Sequence, residues 1–380
     1  MIRKWLMAGV GAVSALLVVG ELLHVKAAHN YSHVPLRSAI IPQPYPRMGQ
    51  AVDGLVFSPD GRTLIAADTQ TGMSLWSLPE LRCKNRVEHT VGDRISTINW
   101  TPEGSTVTLG DSDEIRRWDV RQSNLIPLPT KQVPFRRAAK REYWHVFQIH
   151  VVSPSGRLAA GADANGDIVA WDVQTGRRLF AADAPPFGKE RFPLNICDIA
   201  FSPDDRFMAV ASLAGREPWG RSPLDIVLRD VQIGRIVQQW QWKERGNIRI
   251  DDASGGDLGD TGLVFSPDGT KIAAADICHA AVWDTATGKL RQTLSEVDNR
   301  VESPKTLVFF HGGQLIAGCG WGDRVPVWNV DTGKLLQTFY ANEVTEALAV
   351  SPDNTLLATG GQYAGMSGRI ELWDISRLVR

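Results

Sequence analysis

The run Phe265-Ser266-Pro267-Asp268-Gly269-Thr270-Lys271-Ile272-Ala273-Ala274, followed by Trp283-Asp284 and then Thr287-Gly288-Lys289, decides how this chain is read. Proline fixes φ at one turn position and glycine takes a positive φ without strain, so Ser-Pro-Asp-Gly is a tight turn. The apolar run after it is short and bounded by turn residues, which is the signature of a strand. Thr-Gly-Lys is a second tight turn. The run after that turn, as in Leu335-Leu336-Gln337-Thr338-Phe339, reads as an outer strand. One unit therefore holds four strands, a to d, with the tryptophan closing strand c.

The phrase occurs seven times. It reads Phe57-Ser58-Pro59-Asp60-Gly61 leading to Trp76, Trp100-Thr101-Pro102-Glu103-Gly104 to Trp118-Asp119, and Val152-Ser153-Pro154-Ser155-Gly156 to Trp171-Asp172. The fourth copy, Phe201-Ser202-Pro203-Asp204-Asp205, ends in Arg229-Asp230, and the fifth is the one quoted above. The sixth is worn, Phe309-Phe310-His311-Gly312-Gly313 to Trp328-Asn329, and the seventh is Val350-Ser351-Pro352-Asp353-Asn354 to Trp373-Asp374. The phrase and its spacing resemble the WD40 repeat, a unit of about 40–45 residues that forms one blade. The resemblance covers residues from about 37 to the end. It implies an all-β chain with a single seven-bladed WD40-type β-propeller. WD40 domains organise other proteins and rarely catalyse, so it also implies a binding platform rather than an enzyme. Trp76, Trp118, Trp171, Trp283, Trp328 and Trp373 occur once per unit at one fixed place and are read as structural. The family's Gly-His before strand a is missing; only His89 lies near that slot. Quinoprotein repeats share the Thr-Gly-Lys turn but place tryptophan at the end of the next strand, where this chain has Phe180, Leu294 and Phe339.

The last copy stops soon after Trp373-Asp374 and has no strand d of its own. Arg37-Ser38-Ala39-Ile40-Ile41-Pro42 aligns with the strand-d phrase of other copies, so a strand at about 37–43 is expected to complete the last blade. An open ring would leave a long sheet edge, an association hazard. Before it, Arg3 and Lys4 precede an apolar run from Trp5 to Val19, then Gly20, Glu21 and Leu22–Val25. Residues 1–28 read as an export segment, a cleaved signal peptide or a retained membrane anchor, with 29–36 as a short linker and 37–380 as the propeller. Either reading expects an extracytoplasmic protein, secreted or membrane-anchored.

The 380 residues carry a net charge of −1, which gives no push toward nucleic acid. The basic run Arg136-Arg137-Ala138-Ala139-Lys140-Arg141 reads as a solvated loop. Cys83, Cys197, Cys278 and Cys319 form no CxxC pair, so neither zinc nor haem attachment is supported. No cofactor is expected. Asp251, Asp252, Asp257 and Asp260 are oxygen ligands in a Gly-rich loop, but their spacing lacks the calcium-loop pattern and its terminal Glu.

In an antiparallel blade the a–b and c–d turns lie on one face of the disc, and the b–c and d–a loops on the other. Every a–b and c–d turn is short. The insertions, about 130–146, 181–195, 213–224 and 241–260 with a smaller one at 362–368, all fall on the second face. They carry Phe135, Arg136, Arg137, Tyr143, Trp144, Phe187, Arg191, Phe192, Arg216, Trp219, Arg221, Trp242 and Arg245. Aromatics and arginine are enriched at interaction hot spots, so this face is expected to bind a protein or peptide. The competing reading makes the aromatics small cores beneath long loops. The alternative function is an extracytoplasmic propeller enzyme, quinoprotein-like or lactonase-like, with a ring of ligands at the central channel. The strand-a positions for such a ring are Asp53, Ser96, Gln148, Cys197, Thr261, Lys305 and Glu346. They include no histidine and make a poor metal ring.

Overall fold

The computed structural model describes residues 34–41, 51–68, 72–88, 95–111, 115–126, 128, 149–162, 168–182, 195–213, 224–242, 262–275, 280–295, 304–320, 322–341, 344–363 and 367–378. They form twenty-eight strands in seven four-stranded antiparallel sheets. Blade 1 is β2 (Val52–Phe57), β3 (Thr63–Asp68), β4 (Gly72–Ser77) and β5 (Arg82–Glu88). Blade 2 is β6 (Ile95–Trp100), β7 (Thr106–Asp111), β8 (Ile115–Asp119) and β9 (Asn124–Ile126). Blade 3 is β10 (Ile149–Val152), β11 (Leu158–Ala162), β12 (Ile168–Asp172) and β13 (Arg178–Ala182). Blade 4 is β14 (Asn195–Phe201), β15 (Phe207–Leu213), β16 (Leu224–Asp230) and β17 (Ile236–Trp242). Blade 5 is β18 (Leu263–Phe265), β19 (Lys271–Ala275), β20 (Ala280–Asp284) and β21 (Leu290–Leu294). Blade 6 is β22 (Pro304–Phe310), β23 (Leu315–Gly320), β24 (Arg324–Asn329) and β25 (Leu335–Tyr340). Blade 7 is β26 (Thr345–Val350), β27 (Leu356–Tyr363) and β28 (Ser367–Asp374), and its fourth strand is β1 (Arg37–Ile40), from the other end of the chain.

β1 pairs antiparallel with β28, Arg37 opposite Leu372 and Ile40 opposite Arg369. Leu36 N–H donates to Leu372 O at 2.7 Å and Ile41 N–H to Gly368 O at 2.9 Å. Ile41 is 1% exposed and packs with Val52, Leu55, Ile370 and Leu372. Blade 7 is thus locked to blade 1 by residues more than three hundred positions apart.

The core is divided into seven clusters, each shared by two neighbouring blades. The tryptophan near the end of each strand c sits in the cluster shared with the preceding blade: Trp118 with blade 1, Trp171 with blade 2, Trp283 with blade 4. All six are at most 3% exposed. Between blades 3 and 4 the position belongs to Arg229, and the cluster there is Val151, Phe180, Ile199, Met208 and their aliphatic neighbours.

The Ser-Pro-Asp-Gly turns are closed by their own side chains. Ser58 Oγ donates to Asp60 Oδ1 at 2.6 Å and accepts Thr63 N–H at 3.0 Å. Ser202–Asp204, Ser266–Asp268 and Ser351–Asp353 repeat this at 2.5–2.6 Å. The fourth residue of the motif, with φ between +57° and +85°, is glycine in five blades, Asp205 in blade 4 and Asn354 in blade 7. Those two follow the two turns that lack an acidic residue, Ser-Pro-Ser-Gly in blade 3 and the worn turn of blade 6. Asp205 Oδ2 accepts Ser153 Oγ–H at 3.1 Å and Ser155 Oγ–H, both in blade 3. Asn354 Oδ1 accepts the His311 N–H of blade 6 at 2.8 Å. Each missing acceptor is thus supplied by the next blade, from a side chain whose left-handed backbone would by itself favour glycine.

Candidate functional site

The connections divide by face. All a–b and c–d connections between the strands given above hold four or five residues. On the other face, b–c and d–a connections range from three residues, as between β3 and β4, to about twenty between β9 and β10 and between β17 and β18. The d–a connection between β1 and β2 and the one between β21 and β22 add to this face beyond the insertions read from the sequence. One of those insertions is corrected. Residues 362–368 are no insertion, because β27 and β28 pair out to Tyr363–Ser367 and leave three residues between them.

Phe135, Arg136, Arg137, Tyr143, Trp144, Phe187, Arg191, Phe192, Arg216, Trp219, Arg221 and Arg245 lie outside the described residues, as do the acidic loop at 251–260, Cys278, His89 and the N-terminal segment. Trp242 is described, and its place corrects its reading as a partner-binding loop residue. It is the last residue of β17, 2% exposed. Its ring meets Trp283 edge-on, with centroids 5.5 Å apart and planes at 77°. The segment Ile236-Val237-Gln238-Gln239-Trp240-Gln241-Trp242 alternates between the half-buried and exposed sides of a rim strand, and that two-residue period carries Trp242 into the core between blades 4 and 5.

Of the channel positions, Gln148 and Thr261 are outside the described residues. The other five share a backbone device. The strand-a register shifts at Asp53, Ser96, Cys197, Lys305 and Glu346, each an extra residue unmatched in strand b. A bulge at this place bends the inner strand where it enters the ring and re-aims the next side chain. The residue that follows then bridges blades in blade 6, where Thr306 Oγ–H donates to Glu346 O at 2.8 Å, and in blade 4, where Asp198 Oδ2 accepts Leu263 N–H at 2.8 Å. Cys197 is buried in the core between blades 4 and 5. Among the described residues no group of three or more His, Cys, Asp or Glu is placed to hold a metal ion. A cavity of about 10 Å³ in blade 7, lined in part by Thr345, Thr359, Arg369 and Glu371, has room for about one water molecule.

Sequence reasoning missed Asp225. It lies one residue inside β16, wholly buried, and both carboxylate oxygens lack hydrogen-bond partners. Ser212, opposite it on β15, is equally buried and equally unpartnered at Oγ. Burial pushes the Asp225 carboxyl above its ordinary value; the Gln241 amide, opposite it on β17, opposes this in part without closing a well-formed hydrogen bond. Both residues flank the b–c connection 214–223, on the face that bears the long loops. The same place, four residues before the tryptophan of strand c, holds Gly72, Glu114, Asp167, His279, Arg324 and Arg369 in the other copies, so no local pattern set Asp225 apart.

The family model for the WD domain, G-beta repeat, matches residues 333–374, from the c–d turn of blade 6 through β28. The chain is 26% identical over 186 residues to WD repeat-containing protein SL1-17 of Schistosoma mansoni, covering 49% of this chain and 51% of that protein. It is 33% identical over 67 residues to small ribosomal subunit protein RACK1 of Drosophila melanogaster, covering 17% of this chain and 20% of that protein. The chain thus spans about half the length of the first relative and a fifth of the second. The matched repeat, the WD-repeat relative and seven sheets closed into a ring by β1 make this chain a WD40-repeat β-propeller.

Proposed function

We propose that this propeller is an extracytoplasmic scaffold that binds a protein or peptide through the face bearing its b–c and d–a connections. The observation that carries the reading is the division of the connections. One face is built from near-identical short turns whose hydrogen bonds are closed within the turn or by the turn of the next blade; the other takes nearly all the variation in length. A rigid ring that varies on one face alone is the arrangement in which binding resides in loops. WD40 propellers are typical protein-interaction platforms, which supports the same class of function. The extracytoplasmic location rests on the basic start at Arg3 and Lys4 and the apolar run that follows.

The test is a double substitution, Trp144→Ala with Trp219→Ala, in a C-terminally tagged chain recovered from the native envelope fraction. Loss of the captured partner with an unchanged melting temperature is the expected result. A large fall in melting temperature with capture intact would make these tryptophans loop cores and remove them from the site.

A further inference from the structure

Six large apolar side chains stand exposed among the described residues, and three of them, Val34, Leu36 and Ile40, fall within seven positions at the start of the ring. They are 76%, 51% and 50% exposed. Ile40 stands on the exposed side of β1, whereas Ala39 and Ile41 turn into the core shared with blade 1, and Val34 and Leu36 lie exposed at the bends that lead into the strand. All three therefore belong to the outer rim of blade 7. On the neighbouring rim, β25 of blade 6 carries no charged residue from Leu335 to Tyr340. On the other side, β5 of blade 1 carries Arg82, Lys84 and Arg86. The ring thus has an uncharged sector next to a basic one, with exposed Arg37 between the apolar residues.

The chain itself says what faces this sector. The apolar segment read as an export anchor ends at Val25, nine residues before Val34. Nine residues reach at most about 30 Å when fully extended. If that segment is held in a bilayer, the start of β1 stays within that distance of the surface, and a tether so short gives the nearest rim a high effective concentration of lipid. Apolar side chains beside arginine and lysine are what the boundary between acyl chains and anionic headgroups accepts.

We infer that the rim formed by Val34, Leu36, Arg37 and Ile40 rests on the membrane, so that the ring stands with blade 7 against the lipid and blades 3 and 4 furthest from it. The inference rests on the retained-anchor form of the location proposed above. It gives the long loops a fixed geometry: those of blades 3 to 5 are presented away from the bilayer, where a partner can reach them.

The test uses the full chain in vesicles of phosphatidylethanolamine and phosphatidylglycerol, with Cys83 and Cys278 replaced by serine. A single cysteine is placed at Ile40→Cys or, as control, at Val237→Cys on the rim of blade 4; both wild-type residues are 50% exposed. Each is labelled with an environment-sensitive fluorophore and quenched with nitroxide-bearing lipid or aqueous iodide. The expected result is several-fold stronger lipid quenching at position 40 than at 237, with the reverse order for iodide. Equal quenching in chains that resist carbonate extraction would overturn the rim contact and leave the anchor standing. Release of the chain by carbonate would overturn the anchor and the rim contact together. Cross-linking between chains at position 40 would replace lipid with a second copy as the occupant and overturn the inference.

Discussion

Blade 4 has two unlike sides. Toward blade 5 it presents Trp240 and Trp242, which meet Trp283 at 6.3 and 5.5 Å, a three-tryptophan seam. Toward blade 3 it presents Arg229 in the tryptophan position, 6% exposed with Nη1 donating to Gly234 O at 2.9 Å, and the unpartnered Asp225 and Ser212. The turn end of that second seam is held by Asp205 reaching to Ser153 and Ser155. The contrast teaches that a repeat fold need not be equally strong all round. Apolar burial carries one seam, while the other combines a smaller apolar cluster with polar links and a buried carboxylate that disfavours it. The long connections 183–194 and 214–223 spring from blades 3 and 4 at this second seam.

The largest effect should come from opening the ring, which removes a whole seam. Deleting residues 37–41 takes away β1 and Ile41 and exposes β28, so cooperative thermal unfolding should be lost and the protein should aggregate. A monomer with a sharp melting transition would show that blade 7 stands without its fourth strand. Next, Trp283→Ala should cost about 3–5 kcal/mol, the usual range for emptying a buried tryptophan site. Arg229→Ala should cost clearly less in the same denaturant titration; equal losses would erase the difference between the seams.

Asp205→Gly is a sharper case. Glycine relieves a positive φ, yet the change removes the charged acceptor of two hydroxyls, so a net loss of about 1 kcal/mol is expected. Ser155→Asp should also destabilise, by setting two carboxylates together. Combining the two should recover most of the loss, because blade 3 then carries its own acidic residue. A double-mutant cycle with no coupling would mean that the borrowed acceptor contributes nothing.

The smallest effect is a gain. Asp225 holds its proton in the folded protein at pH values where the unfolded chain has lost it. Its cost is therefore absent below the ordinary carboxylate range and grows as pH rises through that range. Asp225→Asn should raise the melting temperature at neutral pH, and the gain should vanish near pH 4. The turn aspartates have the opposite sign. The hydrogen bond from Ser58 lowers Asp60, and that from Ser351 lowers Asp353. For Asp204 and Asp268, burial opposes ionisation but the serine and backbone hydrogen bonds outweigh it. Their contribution is present above the ordinary carboxylate value and lost as pH falls through their lowered values. Melting curves from pH 7 to pH 2 should therefore show wild-type stability falling in acid, and less steeply for Asp60→Asn with Asp268→Asn.

The number of blades was legible because the turn chemistry is local: Ser58 with Asp60, or Ser266 with Asp268, needs no distant partner to be recognised. β1 was legible because Arg37–Ile41 reads like the strand d that the last copy lacks. Two kinds of feature were not. Residues 362–368 read as an insertion, but β27 runs on through Gly360 and Gly361 to Tyr363, and glycine is required there because a Cβ on Gly361 would collide with Val344 O. Close backbone approach is a tertiary fact, invisible in a local pattern. Trp242 fell inside the insertion bounded at 241–260, although its alternation with Trp240 marked it as strand. The loop-borne site residues have no repeat to constrain them, so the regularity that revealed the scaffold is silent about what the scaffold holds.

The most direct test of the binding face compares the intact chain with one whose connections are shortened within 131–146 and 214–223, both tagged at the C-terminus and recovered from the envelope fraction. The account predicts equal melting temperatures and a partner retained by the intact chain alone. The same partner on both proteins, with both folded, would contradict it.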